Sequence, residues 1–258
     1  MQAYLASLLP FLPFALLVFL RVSVMLVALP APFGSGSPVQ VRVGLSLLIA
    51  LAICTPHWGT APHIELEPVP LSVAALGEFL VGAVIGLTVR VTLAAADVAG
   101  NLAGLSMGQG FAQTVDPMYG EQTMPTGRLV GALSVLIYFA LQGHHVTLQA
   151  VAWSITHAPV GDALTHAVHP GTVDIGAGLL AQGLRIASPI VGTMFIVQLG
   201  MGLVARSAPR VQIFALTFAV TSAVGAAVLY ASLPAVVTAL TAHLGELPAA
   251  LRAALGGG

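Results

Sequence analysis

Long apolar runs dominate this chain and are separated by short polar stretches or by stretches rich in Pro and Gly. A helix needs about 20 predominantly apolar residues to cross a bilayer. Most of the runs reach that length, which predicts an all-α membrane protein, whereas the second is short and is expected to be tilted or re-entrant. We delimit six hydrophobic helical segments: Leu8–Leu29, Val41–Cys54, Leu71–Ala96, Leu129–Ile155, Ile175–Ala205 and Val211–Leu240.

The apolar pattern breaks between Asn101 and Arg128, where Gly, Gln, Met and Pro become frequent. Irregular backbone at membrane depth is tolerated only where protein covers it or where it lines a water-filled cavity. A Gly-rich segment at the centre of such a chain therefore predicts a pore, a plug or a binding site.

Bulky apolar side chains alternate with glycines inside this central stretch. Met107 is an adaptable apolar filler, Phe111 is a large one, and Gly108 and Gly110 let the backbone bend without steric cost. Hydrophobic constrictions gate channels by excluding water. These properties suit a deformable seal, and a disordered surface loop is the alternative.

Composition supports the membrane assignment and narrows the class of protein. The chain has 258 residues, of which 57% are hydrophobic and 7% charged, whereas soluble domains carry about 25% charged residues. Eight Lys plus Arg against nine Asp plus Glu give no basic excess for binding nucleic acid.

The one cysteine, Cys54, excludes an intrachain disulfide and is expected to be a small buried apolar residue. Because no Lys or Arg precedes the first run, we interpret it as a retained helix rather than a signal peptide.

Four charged residues lie within or at the edges of the apolar segments: Arg21, Glu78, Arg90 and Arg185. A lone charge at the centre of a bilayer costs about 2.5–3.5 kcal/mol on insertion scales. We therefore expect an ion pair between Glu78 and one of the arginines, which the sequence alone does not single out. A proton-relay role for Glu78 is the alternative.

Glycine, proline and arginine positions predict how the helices meet and how they are oriented. Gly77, Gly82 and Gly86 predict kinks and close helix contacts in the third segment, and Pro189 predicts a kink in the fifth. Arginines flank the odd-numbered connections and acids lie in the even-numbered ones, so if every segment spans, the positive-inside rule places the odd connections in the cytoplasm and both termini outside. The arginines that flank the odd-numbered connections are Arg42, Arg90, Arg128, Arg206 and Arg210.

A histidine pair, His144-His145, stands in the middle of the fourth segment. Neighbouring residues on a helix point about 100° apart, so the two rings are poorly placed to share one metal ion. The pair is either a proton-linked switch or a structural contact, and we favour the structural role. The remaining histidines form no compact ligand set, and we predict no metal site.

The sequence Gly104-Leu-Ser106-Met-Gly108 matches the G-x-S-x-G pattern of a nucleophile elbow. That elbow requires a strand–turn–helix setting, which the helical pattern does not offer. An intramembrane serine protease using Ser106 and His144 is therefore an alternative that we do not favour. A small-solute or ion transporter is a second alternative, but it requires broken helices in matching halves of the chain, and we see no such symmetry.

Three groups of residues occur in a characteristic order and spacing. They are Gly108-Gln109 through Phe111 to Asp116-Pro117; Gly143-His144-His145 with Ser154 and 158–161; and 202–206 with Pro209, Ile213-Phe214 and Phe218. Together they resemble the FliR/SctT family of type III secretion export-gate proteins, although Gln142, Arg210 and Gln212 depart from the family's usual residues. The resemblance covers residues 8 to 230 approximately.

The resemblance implies a non-enzymatic protein without a cofactor, forming one export-gate domain over residues 1–258. It implies kinked helical hairpins in the bacterial inner membrane, within the flagellar basal body. The implied partners are P-type and Q-type export-gate membrane proteins and the large export-gate proteins. Unfolded flagellar subunits would pass through the channel that these chains form, and nucleic acid has no part in it.

In this family a central loop plugs the closed pore, and that loop maps to about Gly108–Gln122 here. The residues expected to form the plug or gate are Met107, Gly108, Gln109, Gly110, Phe111, Gln113, Asp116 and Pro117. The residues expected to have structural roles are Arg21, Glu78, Gly143, His144, His145, Arg206, Pro209 and Phe214.

Overall fold

The computed structural model describes residues 2–30, 37–57, 62, 64, 67–110, 124–167, 178–207 and 213–256. Every regular element in these ranges is helical, which confirms the all-α class. The helices are α1 (Gln2–Ala28), α2 (Val39–Cys54), α3 (Pro68–Ser106), α4 (Pro125–Ala140), α5 (Gly143–His157), α6 (Leu164–Ala167), α7 (Leu179–Ser207), α8 (Ile213–Gly245) and α9 (Leu247–Ala254). A 3-10 turn, Thr55–His57, follows α2.

Four stretches of helix are long and apolar enough to cross a membrane, which confirms the membrane class. They are Phe11–Ala28, Pro68–Ser106, Leu179–Val204 and Ala219–Ala254. The pair α4 and α5, which is bent at a short break, adds a fifth if it counts as one span. The second helix has 16 residues and falls short of a span, as its sequence predicts.

The fourth segment is not one helix, contrary to our prediction. It forms α4 and α5, which are separated at Leu141 and Gln142. Gln142 has a φ of 56°, a left-handed conformation that ends α4 before Gly143 begins α5. His144 and His145 therefore lie in the first turn of α5 rather than in the middle of a long helix.

The third segment is longer than the apolar pattern predicts. The helix continues past Ala96 and through Asn101, and it ends at Ser106 after 39 residues. Small residues let this polar end pack closely, since a Cβ added at Gly100 would lie 2.7 Å from the Cα of Gly127. The backbone at 101–106 is therefore helical, and the expected break begins later, at Met107.

A short C-terminal helix, α9, was missing from our prediction. Leu247, Leu251 and Ala254 are buried and recur at the spacing of one helical face, and Pro248 stands at its start. This face packs against α5. Its eight residues are too few to stand out beside the long apolar runs.

The chain divides into two compact units, each with its own packing. Unit 1 comprises 1–91, 142–177 and 246–258, and unit 2 comprises 92–141 and 178–245. In unit 1, α1 packs along α2, and in unit 2, α8 packs along α7 and against α4. The core of unit 2 is built largely from alanines of α3 and from Ile186, Ile190, Met194 and Leu240. That residues 1–258 form a single domain stays a prediction.

The glycines of α3 bring other segments of unit 1 very close, as predicted. A Cβ added at Gly77 would lie 2.5 Å from the backbone N of Leu164, and one at Gly86 would lie 2.6 Å from Cβ of Ala28. A Cβ added at Gly82 would overlap the carbonyl oxygen of Arg21. The absence of a side chain at these positions is therefore what allows α1 and α6 to approach α3. The kink at Pro189 stays a prediction, since α7 is continuous through it.

Cys54 is buried at the end of α2, outside the four candidate spans. Burial raises the pKa of its thiol to about 11. Because the pKa rises from 9.0 to about 11, we expect maleimide to alkylate Cys54 about a hundred-fold more slowly in the native than in the denatured chain at neutral pH. Mass spectrometry of the native and the denatured chain measures this rate, and equally rapid labelling of both would contradict the burial.

Candidate functional site

The most deeply buried charges of the described residues form one ion pair. Arg21 of α1 and Glu78 of α3 are both 0% exposed, and the Nε of Arg21 lies 2.6 Å from the Oε2 of Glu78. This confirms that Glu78 pairs with an arginine and identifies Arg21 as its partner. Arg90 and Arg185, the other two candidates, are exposed.

The remaining polar atoms of this pair are also satisfied within unit 1. Nη1 of Arg21 donates to Oγ of Ser154 at 2.8 Å, and Nη2 donates to the carbonyl oxygen of Ala158 at 2.9 Å. The backbone N–H of Gly161 donates to Oε1 of Glu78 at 3.1 Å. These five residues, which we call the Arg21–Glu78 network, connect α1, α3, α5 and the turn that follows α5.

Local conformation explains why these residues meet. Gly161 has a φ of +98°, a left-handed conformation that glycine adopts without strain and that aims its N–H at Glu78. Ser154 lies in the last turn of α5, and its hydroxyl also donates to the carbonyl oxygen of Val151. Losing either partner of a buried ion pair leaves an uncompensated charge, so the pair favours the one arrangement of these helices in which both charges are bonded.

The sequence located part of this network and missed the rest. Arg21 and Glu78 stood out as charges in apolar runs, and Ser154 and 158–161 came only from the family resemblance. That Ser154, Ala158 and Gly161 bind the ion pair was not predicted. Gly161 carried the one usable signal, because a glycine two positions after a proline and directly before an aspartate is typical of a turn.

A glycine-centred cap ends α3 at the start of the central segment. Gly108 has a φ of +80°, and its N–H donates to the carbonyl oxygen of Leu105 at 3.0 Å. The N–H of Gln109 donates to the carbonyl oxygen of Gly104 at 3.0 Å. These two bonds form a Schellman motif, in which a left-handed glycine terminates a helix and satisfies its last carbonyls.

Other members of unit 2 hold the same end of α3. Met107 is 2% exposed and lies in the core, where a Cβ added at Gly225 would come within 2.7 Å of its Cγ. The side-chain Nε2 of Gln198 donates to the carbonyl oxygen of Ser106 at 2.6 Å. The hydroxyl of Ser106 donates to the carbonyl oxygen of Ala103 at 2.7 Å. The G-x-S-x-G sequence is thus the capped end of a helix and lacks the strand that a nucleophile elbow requires.

The start of α4 lies beside this capped end. Oδ1 of Asn101 accepts from the N–H of Met124 at 3.2 Å. Oε1 of Gln109 accepts from the N–H of Thr126 at 3.3 Å and from its hydroxyl at 2.7 Å. The residues that flank 111–123 are therefore joined by hydrogen bonds.

The structure places the other expected site residues as follows. The rings of His144 and His145 lie 4.4 Å apart between centroids, with His144 half-buried and His145 exposed. Gly143 is buried, and Arg206 is exposed in the last turn of α7. Phe214 belongs to the first turn of α8. Four plug residues and Pro209 lie outside the described residues: Phe111, Gln113, Asp116, Pro117 and Pro209.

These positions do not test the roles that we assigned. Met107, Gly108 and Gln109 are held at the capped end of α3. Their contribution to a plug stays a prediction. The structural roles of His144, His145, Arg206 and Phe214 stay predictions too.

Comparison with known proteins identifies the family. The family described as "Bacterial export proteins, family 1" matches residues 12–247. The chain belongs to this family. The match contains all five residues of the Arg21–Glu78 network and both ends of the central segment, and it confirms the FliR/SctT resemblance.

Several curated members of the export family are similar to this chain. It is 26% identical over 212 residues to the flagellar biosynthetic protein FliR of Bacillus subtilis, covering 81% of each chain. It is 30% identical over 186 residues to FliR of Pectobacterium carotovorum, covering 69% of this chain and 68% of the relative. It is 28% identical over 182 residues to the Yop proteins translocation protein T of Yersinia pestis, covering 69% of each.

Proposed function

We propose that this chain is a membrane subunit of a flagellar type III protein export apparatus. One observation carries the proposal: an export-protein family matches residues 12–247, and flagellar biosynthetic proteins and a translocation protein are among the relatives. The four to five candidate spans agree with this role, since an export channel must be built within a membrane.

In this proposal the chain is a structural and gating subunit and has no catalytic role. It lies in the bacterial inner membrane at the flagellar basal body and contributes part of the channel through which unfolded flagellar subunits pass. P-type and Q-type membrane chains and the large export-gate proteins are its partners. The buried Arg21–Glu78 network supports a scaffold role, because it fixes several helices of unit 1 relative to one another.

Deletion and purification test the proposed assembly. Removing the gene should abolish flagellar filaments and motility, and a plasmid copy should restore both. A tagged chain extracted in mild detergent should purify together with the P-type and Q-type chains. A chain that purifies alone and moves a small solute across liposomes would instead favour the transporter alternative.

The proposed plug, Gly108–Gln122, makes a separate prediction at Phe111. Replacing Phe111 with Gly removes the largest apolar side chain expected in the seal, so water and ions should pass while export continues. We expect a several-fold rise in ion conductance of membranes that contain the assembled complex. Phe111→Leu is the matched control, because it keeps an apolar side chain of similar bulk. Equal conductance of Phe111→Gly and the wild type would rule out Phe111 as part of the seal.

A further inference from the structure

The first turn of α4 lacks a cap from its own sequence. The first four N–H groups of any helix have no partner within the helix, and a Ser, Thr, Asp or Asn at the N-cap commonly satisfies one of them. Met124 occupies that position, makes no side-chain cap and is followed by Pro125. The N–H groups here must therefore be satisfied from elsewhere.

Two amide side chains supply the missing acceptors, one from the end of α3 and one from the turn that follows it. Gln109 accepts both from the N–H of Thr126 and from its hydroxyl, and Asn101 accepts from the N–H of Met124. Met124 and Thr126 are 6% and 2% exposed, so little water reaches these groups to replace the bonds. We call these four residues the amide clamp.

The position of Gln109 is fixed from both sides. The Schellman motif at Gly108 sets the direction in which the chain leaves α3. Gly104 leaves the space that the clamp fills, because a Cβ there would lie 2.8 Å from Oε1 of Gln109 and 2.8 Å from Sδ of Met124. The clamp is thus a built contact between the two ends that flank 111–123.

We propose that Gln109 is a positioning residue that caps α4 from the turn after α3 and so holds together the two ends of the central segment. Separating these ends requires both hydrogen bonds of Gln109 to break. The part of this inference that concerns the ion barrier rests on the proposed function, in which the segment between these ends seals the channel. The capping itself does not depend on that function.

Gln109→Ala removes the acceptor, and Gln109→Glu keeps it. A carboxylate is a favourable acceptor at a helix N-terminus, because it complements the partial positive charge there. Gln109→Glu should therefore preserve the clamp. Gln40→Ala is the matched control for loss of a glutamine, since Gln40 is exposed on α2.

Hydrogen exchange of the whole purified complex measures the capping directly. Losing one buried acceptor should accelerate exchange of the amide of Thr126 about tenfold in Gln109→Ala, with Gln109→Glu and Gln40→Ala close to the wild type. Unchanged exchange in Gln109→Ala would overturn the inference.

Ion conductance of vesicles containing the same complexes measures the positioning role. When the variant chain accumulates to the wild-type level, vesicles with the Gln109→Ala complex should conduct ions several-fold more than wild-type vesicles. Vesicles with the Gln109→Glu complex should conduct ions like the wild type. If Phe111→Gly leaks but Gln109→Ala does not, the clamp has no role in the barrier and the proposed function stands. If Phe111→Gly does not leak either, the proposed seal itself fails.

A second variant covers the case in which Gln109→Ala does not accumulate. Thr126→Val removes the hydroxyl donor at nearly constant size and leaves the N–H in place. It should therefore raise the amide exchange rate at position 126 and the ion conductance less than Gln109→Ala does. Loss of chain abundance in both variants would make the clamp a general folding element and overturn the specific positioning role.

Discussion

We expect the Glu78→Ala variant to lose about 3–5 kcal/mol of folding free energy, the largest effect of any single substitution proposed for this chain. The substitution leaves the guanidinium of Arg21 fully buried without its counter-charge, while Ser154 and Ala158 supply only neutral acceptors. The N–H of Gly161 loses its acceptor as well. The variant should accumulate poorly, and the purified complex should unfold at a lower temperature in detergent.

Two further variants show whether the lost charge pairing is the cause. Glu67→Ala removes an exposed carboxylate just before α3 and should change stability little. Combining Glu78→Leu with Arg21→Met replaces both charges by apolar groups, and buried ion pairs replaced in this way often cost little. The double variant should therefore be more stable than either single one, with a coupling of roughly 0.5–3 kcal/mol. Strictly additive effects would show that Arg21 and Glu78 do not interact.

We expect Gly82→Ala to destabilise the protein and Gly44→Ala to leave its stability unchanged or to raise it. At Gly82 the new methyl group would overlap the backbone of Arg21, with the carbonyl carbon at 3.1 Å and Cα at 3.2 Å. Backbone atoms of a packed helix yield less readily than a side chain, and such overpacking costs about 1–3 kcal/mol or more. Because Arg21 itself must shift, the ion pair should weaken too.

Gly44 lies in α2 and has nothing within 4 Å of an added Cβ. Alanine is favoured over glycine inside a helix by up to about 1 kcal/mol, so Gly44→Ala should be neutral or stabilising. The unfolding temperatures of the two variants in detergent, together with their abundance in membranes, measure the contrast. A Gly82→Ala protein as stable as Gly44→Ala would show that α1 and α3 are not in close contact at this point.

The helices were predictable because their residues are apolar over long, uninterrupted runs, and the errors occur where that signal fails. The end of α3 at 101–106 mixes leucines with polar and small residues, yet Gly100 and Gly104 let it pack as helix. The break at Gln142 lies inside the fourth segment, directly before Gly143 and the histidine pair, and no proline marks it. The apolar pattern indicates which residues are buried in lipid or protein. It does not indicate where a single residue adopts a left-handed backbone conformation.

The candidate site was less predictable, since it depends on contacts between distant parts of the chain. The cost of a lone buried charge predicted that Glu78 has an arginine partner, but only the packing of α1 on α3 selects Arg21. The capping of α4 by Gln109 left no local signal, because a glutamine 17 positions before Thr126 matches no capping pattern.

The Arg21–Glu78 network also bears on how the chain is made. Glu78 follows Arg21 by 57 residues, and Ala158 follows it by 137. At about 5–20 residues per second, synthesis of the 137 residues takes roughly 7–27 seconds. Until then the last acceptor of Arg21 does not exist, so the network that holds α1 against α3 and α5 can be completed only after most of the polypeptide has been synthesised.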